Sequence, residues 1–226
     1  DEITKKFLNN ETVPIDFYDV SAKLNYSSPK IFNDAKFSLF TFLSSDNIKY
    51  SDPAREEYSW KNFLLDFEWI QIYEAPFFSR LGISSSNFEG KIIPKGSNLK
   101  PLNNEVKDVT ISFDINAVLD SKDEIDFGLM IKMLDTQLLT ESKTGIESQL
   151  SKFAGNISIY AKYKLLRYEM FGLDFGSRFN VTGLNSNSAG TFEPRISFTF
   201  RPIEQFAIKG SAGIYLQEVT AVSDED

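Results

Sequence analysis

The sequence predicts an all-β fold, an antiparallel up-and-down meander of about ten long strands. The first observation behind this prediction is an alternation of apolar and polar residues, which recurs along the whole chain. Between 191 and 201, for example, Phe192, Ile196 and Phe198 share one parity, and Glu193 and Arg195 share the other. The second observation is that short turns and longer polar connections follow one another in turn. Together they predict consecutive hairpins with short turns at one rim of the sheet and longer loops at the other rim.

The predicted strands follow in order from the amino terminus. The first, near 17–26, sets Val20 and Leu24 against Lys23, whereas the second, about 36–45, has phenylalanine on both parities. The later strands each set an apolar parity against a polar one, and they occupy 59–73, 77–88, 107–119, 124–134, 152–163, 171–181, 191–201 and 205–217. The longer connections are predicted at 45–57, 91–105, 139–149 and 182–190.

The composition excludes several classes of function. The chain has 226 residues, a net charge of −8, no cysteine and no histidine. The negative charge argues against nucleic acid as a partner. Without histidine or cysteine there is no Ser-His or Cys-His catalytic mechanism, and no metal site built on those ligands. No carboxylate pair or glycine-rich loop forms part of a recognisable catalytic or phosphate-binding motif, so we expect no enzyme activity and no cofactor.

The orientation of the sheet decides between a soluble protein and a membrane protein. In a soluble sandwich the apolar face is the core and the polar face meets water. In a membrane barrel the apolar face meets lipid and the polar face lines a wet lumen. The predicted strands have about 10–14 residues, whereas soluble strands usually have about 5–6 and a tilted strand crossing a bilayer needs about 9–11. Strand length therefore favours the barrel.

Charged and aromatic residues support the same orientation. Away from the strand ends, charges within the predicted strands keep to the polar parity, and the exceptions Lys61 and Glu169 lie at strand ends. Such a distribution keeps charge away from lipid, where it costs about 2–4 kcal/mol at the bilayer midplane. Aromatic residues gather near the strand ends, which suggests two interfacial girdles. Tyr26, Trp69, Tyr73, Tyr163 and Tyr168 flank the short turns, and Tyr58, Trp60, Phe192 and Tyr215 flank the longer loops.

We therefore expect the meander to form part of a transmembrane β-barrel in the cell outer membrane, with its apolar face against the lipid. No composition shift divides 1–226, so it is interpreted as a single barrel segment without a plug domain. Because both terminal strands meet the longer-loop rim, further strands are expected beyond both ends. The lumen-facing residues that we expect to contact a ligand are Asp66, Glu68, Asp174, Arg178, Glu193, Arg195, Lys209 and Gln217.

The last three predicted strands carry a family resemblance. A G-x-R strand is followed by a P-R-x-S strand, a short turn, and a strand that leads into a loop. This order resembles the barrel of TonB-dependent outer-membrane receptors, and the hairpin at 59–88 is similar to one in the middle of that barrel. The resemblance is specific over about 170–225, and its matching residues are Gly176, Arg178, Pro194, Arg195, Ser197, Lys209, Gly213, Tyr215 and Gln217.

The resemblance implies a 22-stranded barrel filled by an N-terminal plug. Such a barrel binds a nutrient or metal chelate and imports it through coupling to the TonB complex. This chain has about ten predicted strands and no recognisable plug or TonB-box segment, so the TonB complex is expected as a partner only through a plug that this chain lacks. Two alternatives stay open: a passive porin-like or structural outer-membrane barrel, and a soluble β-sheet binding domain. No motif predicts the ligand, which is expected to be a small molecule.

Overall fold

A computed structural model describes residues 15–28, 34–50, 52, 55–73, 76–94, 102–141, 145–183 and 189–216. Ten strands form one antiparallel sheet, in which each strand pairs with its neighbours in sequence. No helix among the described residues is long and apolar enough to cross a membrane. The strands are β1 (Ile15–Ser28), β2 (Ala35–Ile48), β3 (Glu57–Ile72), β4 (Phe77–Ile93), β5 (Leu102–Val118), β6 (Glu124–Glu141), β7 (Glu147–Leu165), β8 (Phe171–Thr182), β9 (Ala189–Ile203) and β10 (Phe206–Gly213).

The predicted meander is confirmed. The strand order runs without a crossover from β1 to β10, and these two strands are the edges of an open sheet. Eight of the hairpin pairings hold an unbroken register, and the β9–β10 pair has one irregularity, between Phe206 and Ile208. The local cause is the strict alternation of side chains, because a slip of one residue would move every apolar side chain to the other face.

Several strands are longer than predicted, so they extend into two of the predicted loops. Residues 91–93 and 102–105 belong to β4 and β5, and residues 139–141 and 147–149 belong to β6 and β7. The sequence pattern misled the prediction because the outward face of these strands changes from apolar to charged residues near these ends. Glu89 and Lys107 lie on the face that further down carries Ile83 and Ile111. A charged outer surface indicates that the strands continue past the apolar band into water.

Burial shows which face of the sheet is the inside. Polar side chains such as Ser158, Asn180 and Glu193 are buried, whereas Ile159 is 44% exposed and Phe175 is 46% exposed. Among the described residues, Ala35 alone is a buried apolar residue. The sheet therefore curves around its polar face and turns its apolar face outward. This arrangement is the reverse of a soluble β-sandwich.

Three of the aromatic residues predicted for the short-turn rim, Tyr26, Trp69 and Tyr73, lie on the apolar face. The Phe37 ring lies 6.4 Å from Tyr26 and 5.8 Å from Trp69, which links β1, β2 and β3. At the next turn, the rings of Tyr73 and Phe77 are stacked at 4.3 Å. Aromatic rings at this depth suit the interface between headgroups and acyl chains.

The predicted girdle at the longer-loop rim is wrong for three of its members. Phe192 lies on the apolar face and is 59% exposed, as expected. Trp60 is instead opposite Asp46 and Gly90, on the polar face, and Tyr58 stacks on it at 6.0 Å. The physical reason is parity, because Tyr58 and Trp60 are an even number of residues from Asp66 and therefore lie on the same face of β3. Tyr215 likewise lies beside a polar-face side chain, Arg195.

Gly128 allows a long side chain to cross the polar face. Tyr160 lies opposite it in β7 and donates a hydrogen bond over it to Asp114 in β5, at 2.6 Å. A Cβ on Gly128 would lie 2.2 Å from a carbon of the Tyr160 ring. Only glycine leaves room for this contact, which connects three strands.

We expect Gly128→Ala to lower the free energy of unfolding by about 1–3 kcal/mol, because the added methyl group displaces the ring of Tyr160. The matched control is Gly176→Ala on the same face, where the nearest atom to a new Cβ is 3.6 Å away. Urea unfolding of the protein in lipid vesicles, followed by tryptophan fluorescence, measures both. Equal unfolding midpoints for the two variants would show that the close contact between Gly128 and Tyr160 has no particular effect on stability.

Candidate functional site

The polar face is held together by charged side chains that bond across neighbouring strands. Arg80 in β4 approaches Glu68 in β3 at 3.7 Å, and Lys132 in β6 approaches Asp108 in β5 at 3.0 Å. These pairs are partly exposed, so each contributes at most about 1 kcal/mol. Their main consequence is positional, since they fix charged groups around an open concave surface.

The two halves of the polar face differ in charge. On β1–β6 carboxylates outnumber cations: Asp19, Asp46, Asp66, Glu68, Asp108, Asp114, Glu124 and Asp126 share the face with Lys23, Lys36, Arg80 and Lys132. On β7–β10 cations outnumber carboxylates: Lys152, Lys162, Lys164, Arg178, Arg195, Arg201 and Lys209 share the face with Asp174 and Glu193. We call these the acidic half and the basic half.

A cleft lies in the basic half. It has a volume of about 400 Å³, and its polar lining comes from four strands and the segment after β10, with Lys162, Asp174, Arg178, Arg195 and Tyr215 among the residues. A second cleft of about 550 Å³ adjoins it and shares Arg178, Arg195 and Tyr215. Arg178 and Arg195 therefore stand between two concave spaces on the inner surface.

Neutral and charged partners hold these arginines in different ways. Arg178 donates from Nε to Asn180 at 2.8 Å and from Nη2 to Ser158 at 2.9 Å. Arg195 donates from Nη2 to Glu193 at 2.8 Å, and its guanidinium lies 4.6 Å from the centre of the Tyr215 ring. Both guanidinium groups are thus oriented by neighbours before any ligand arrives.

The structure brings most of the predicted ligand-contacting residues onto one surface. Asp174, Arg178, Glu193, Arg195 and Lys209 all lie on the basic half. The remaining predicted residues are elsewhere: Asp66 and Glu68 lie on β3 in the acidic half, and Gln217 lies outside the described residues. Their contact with a ligand stays a prediction.

Three residues that line one or both clefts were missed by the sequence prediction. Lys162 approaches Asp174 at 3.9 Å, Asn180 donates to Glu193 at 2.7 Å, and Tyr215 lies beneath Arg195. Lys162 and Asn180 have the polar parity of their strands, so alternation placed them on this face. Their proximity to the site depends on the β7–β8–β9 register, which no local pattern in the sequence reveals.

A second cluster of polar groups lies at the short-turn rim and joins two hairpins. The buried carboxylate of Asp123, after β5, accepts hydrogen bonds from Arg167 Nε at 2.9 Å, Leu166 N at 2.9 Å, Ser121 Oγ at 3.0 Å and Tyr163 OH at 2.5 Å. Arg167 Nη2 makes a further bond to it. The Arg167 guanidinium, helped by these other donors, holds the pKa of the Asp123 carboxyl well below its usual range. The cluster therefore links the turn between β5 and β6 to the turn between β7 and β8.

Comparison with known proteins identifies the fold but no family. No protein-family model matches the chain, and no curated protein matches it. Among solved structures, the siderophore receptor PiuA from Acinetobacter baumannii is similar, with a TM-score of 0.61 and 9% identity over 84% of this chain and 40% of that one. The translocator domain of the autotransporter NalP from Neisseria meningitidis matches 94% of this chain and 85% of its own, with 9% identity and a TM-score of 0.37.

The similarity to the PiuA structure supports the predicted barrel fold. The similarity to NalP has too low a TM-score to carry an argument. The PiuA similarity shows that the ten strands have the arrangement found in an outer-membrane receptor barrel, and this chain spans 40% of that receptor's length. The outer-membrane location predicted from the sequence agrees with this fold and with the outward apolar face.

Proposed function

We propose that the chain is a wall of a TonB-dependent outer-membrane receptor that binds a small nutrient or metal chelate and imports it. The observation that carries the proposal is the inverted sheet, in which a charged, cleft-bearing face is the concave side and the exposed apolar face is the outer side. Such a sheet is suited to lipid outside and a polar solute inside. The likeness to the PiuA barrel and the G-x-R, P-R-x-S and K-x-S-x-G-x-Y motifs of the last three strands favour a receptor.

The proposal assigns partners to each part of the molecule. Outer-membrane lipid contacts the apolar face, and a small polar ligand contacts the lumen and the longer loops. The TonB complex acts through a plug domain outside these 226 residues. We propose no catalytic role and no nucleic-acid partner for the chain.

A passive porin-like barrel is the second candidate. The opposed charges of the acidic and basic halves favour it, because charges on the wall of a wet lumen also tune selectivity in an open channel. A soluble binding domain is less favourable, because large apolar side chains such as Phe127, Phe175 and Phe192 would remain in water.

Conductance of the full-length protein in a planar lipid bilayer separates the two membrane candidates. We expect a plugged receptor to give no stable open channel, and we expect its periplasmic side to bind the purified periplasmic domain of TonB. A permanently open channel with no binding of that domain would contradict the receptor proposal and support the porin.

A further inference from the structure

We infer that the cleft of the basic half binds an anionic solute, through carboxylate or phosphate oxygens that Arg178 and its cationic neighbours contact. This inference names a ligand class for the proposed receptor and rests on that proposed function.

Arg178 is a half-buried cation whose bonding partners are neutral. Asn180 and Ser158 accept from two of its N–H groups, and Ser158 is fully buried, so the guanidinium is anchored in a fixed plane. Within the described residues no carboxylate lies within 4.0 Å of it. Guanidinium has five donors in a planar fork, so three remain to be satisfied. A cation removed from water without an anionic partner is costly, and an oxyanion bound here would lower that cost.

The carboxylate nearest in register does not neutralise Arg178. Glu193 lies directly opposite it on β9, yet its side chain is buried and bonded elsewhere. Asn180 donates to Glu193 Oε1 at 2.7 Å, and Arg195 donates to Oε2 at 2.8 Å. Glu193 therefore orients Asn180 and Arg195, and it forms no ion pair with Arg178.

Two more cations reach the same cleft with donors to spare. Arg195 has a side chain that is 41% exposed, and it gives one bond to Glu193. Lys162 is 38% exposed and lies 3.9 Å from Asp174, too far for a strong hydrogen bond. The fork geometry of arginine matches the two oxygens of a carboxylate or phosphate group. A cleft of about 400 Å³ accommodates a small solute between these side chains.

The surrounding charge favours the same ligand class. Arg201 and Lys209 lie on the same face of β9 and β10, Lys164 on β7 pairs with Glu124 and Asp126 of β6, and the carboxylates are concentrated on the strands of the acidic half. A wall lined by one sign of charge concentrates the opposite sign of solute near it. An anion entering the lumen is therefore drawn toward β7–β10 and repelled from β3–β6.

Titration calorimetry on the full-length protein in lipid nanodiscs tests this inference, with citrate and pyrophosphate as the carboxylate and phosphate probes. We expect at least one probe to bind at low salt and binding to weaken as salt is raised. Arg178→Gln is expected to weaken that binding by about tenfold or more. Arg178→Lys keeps the charge and loses the planar fork of donors. Its affinity for the probe is expected to lie between those of the wild type and Arg178→Gln.

The matched control is Arg80→Gln. Arg80 lies on the same face, but in the acidic half beside Glu68, and we expect its removal to change the affinity by less than about twofold. The inference is overturned if neither probe binds at millimolar concentration, if Arg178→Gln binds as the wild type does, or if both glutamine variants weaken binding equally. Folding is checked by urea midpoints, and Arg178→Lys provides the test if Arg178→Gln does not fold.

Failure of this inference and failure of the receptor proposal give different results. Anion binding at Arg178 together with an open channel and no TonB contact would keep the inference and remove the receptor. A closed, TonB-binding protein that binds neither probe would keep the receptor and remove the inference.

Discussion

Arginine introduced at Phe113 is expected to lower the stability of the membrane-embedded protein by about 2–4 kcal/mol, the cost of a charge near the bilayer midplane. Phe113 lies at the centre of the apolar run of β5, and its side chain is 39% exposed on the outward face. It pairs with Leu81 and Leu129, so the new charge would have only apolar neighbours. Unfolding by urea in lipid vesicles gives the difference from the wild type.

The matched control for this experiment is Ser112→Arg, one residue away on the polar face. Its cross-strand neighbours there are Gly82 and Met130, and Gly82 leaves space for a longer side chain. We expect a change within about 1 kcal/mol, since the guanidinium extends into a wet interior among carboxylates. A larger loss of stability for Ser112→Arg than for arginine at Phe113 would contradict a polar face that lines a wet interior.

Asp123→Asn is expected to lower the unfolding midpoint and to make it less sensitive to acid. The amide cannot replace a carboxylate that accepts bonds from Arg167, Tyr163, Ser121 and Leu166, so the tie between the two turns weakens. The folded-state pKa of Asp123 is lowered, so its contribution is complete above the unfolded pKa of about 4. That contribution is lost as the pH falls through the lower folded value.

The measurement is the urea midpoint of both proteins between pH 7 and acid. We expect the gap between wild type and Asp123→Asn to be constant at neutral pH and to shrink below about pH 4. Asp120→Asn in the same turn is the control, because Asp120 is exposed and is expected to have little effect. A gap that widened in acid would contradict the assigned sign of the pKa shift.

The sequence predicted the meander because alternation at every second residue is a direct consequence of strand geometry. Residues such as Val109, Ile111 and Phe113 carried that signal without interruption, so β5 and its neighbours were recognised. The ends of β4 to β7 at the longer-loop rim were missed. Glu89 and Lys107 place charges on the outward face there, whereas apolar side chains such as Ile83 occupy that face nearer the middle of the strands. A strand that passes from lipid into water changes its pattern of apolar and polar residues along its length. A prediction from the local pattern interprets that change as a loop.

The candidate site was predicted in part for a similar reason. Parity placed Arg178 and Arg195 on the polar face, but distances across strands depend on the register of β7, β8 and β9. Alternation gave no means of distinguishing Asp66 from Asp174, although the first lies in the acidic half and the second beside the basic cleft. The charge difference between the halves becomes visible only when the strands are laid side by side.

The most direct test of the inverted sheet is cysteine labelling in native membranes, in which these 226 residues contribute no cysteine of their own. Single cysteines replace Asp174 and Arg195 on the polar face, and Phe175 and Phe198 on the apolar face. We predict that a water-soluble thiol reagent labels the first pair and leaves the second pair unlabelled. Equal labelling of both pairs, or labelling of Phe175→Cys and Phe198→Cys alone, would contradict a wet lumen on the polar side and lipid on the other.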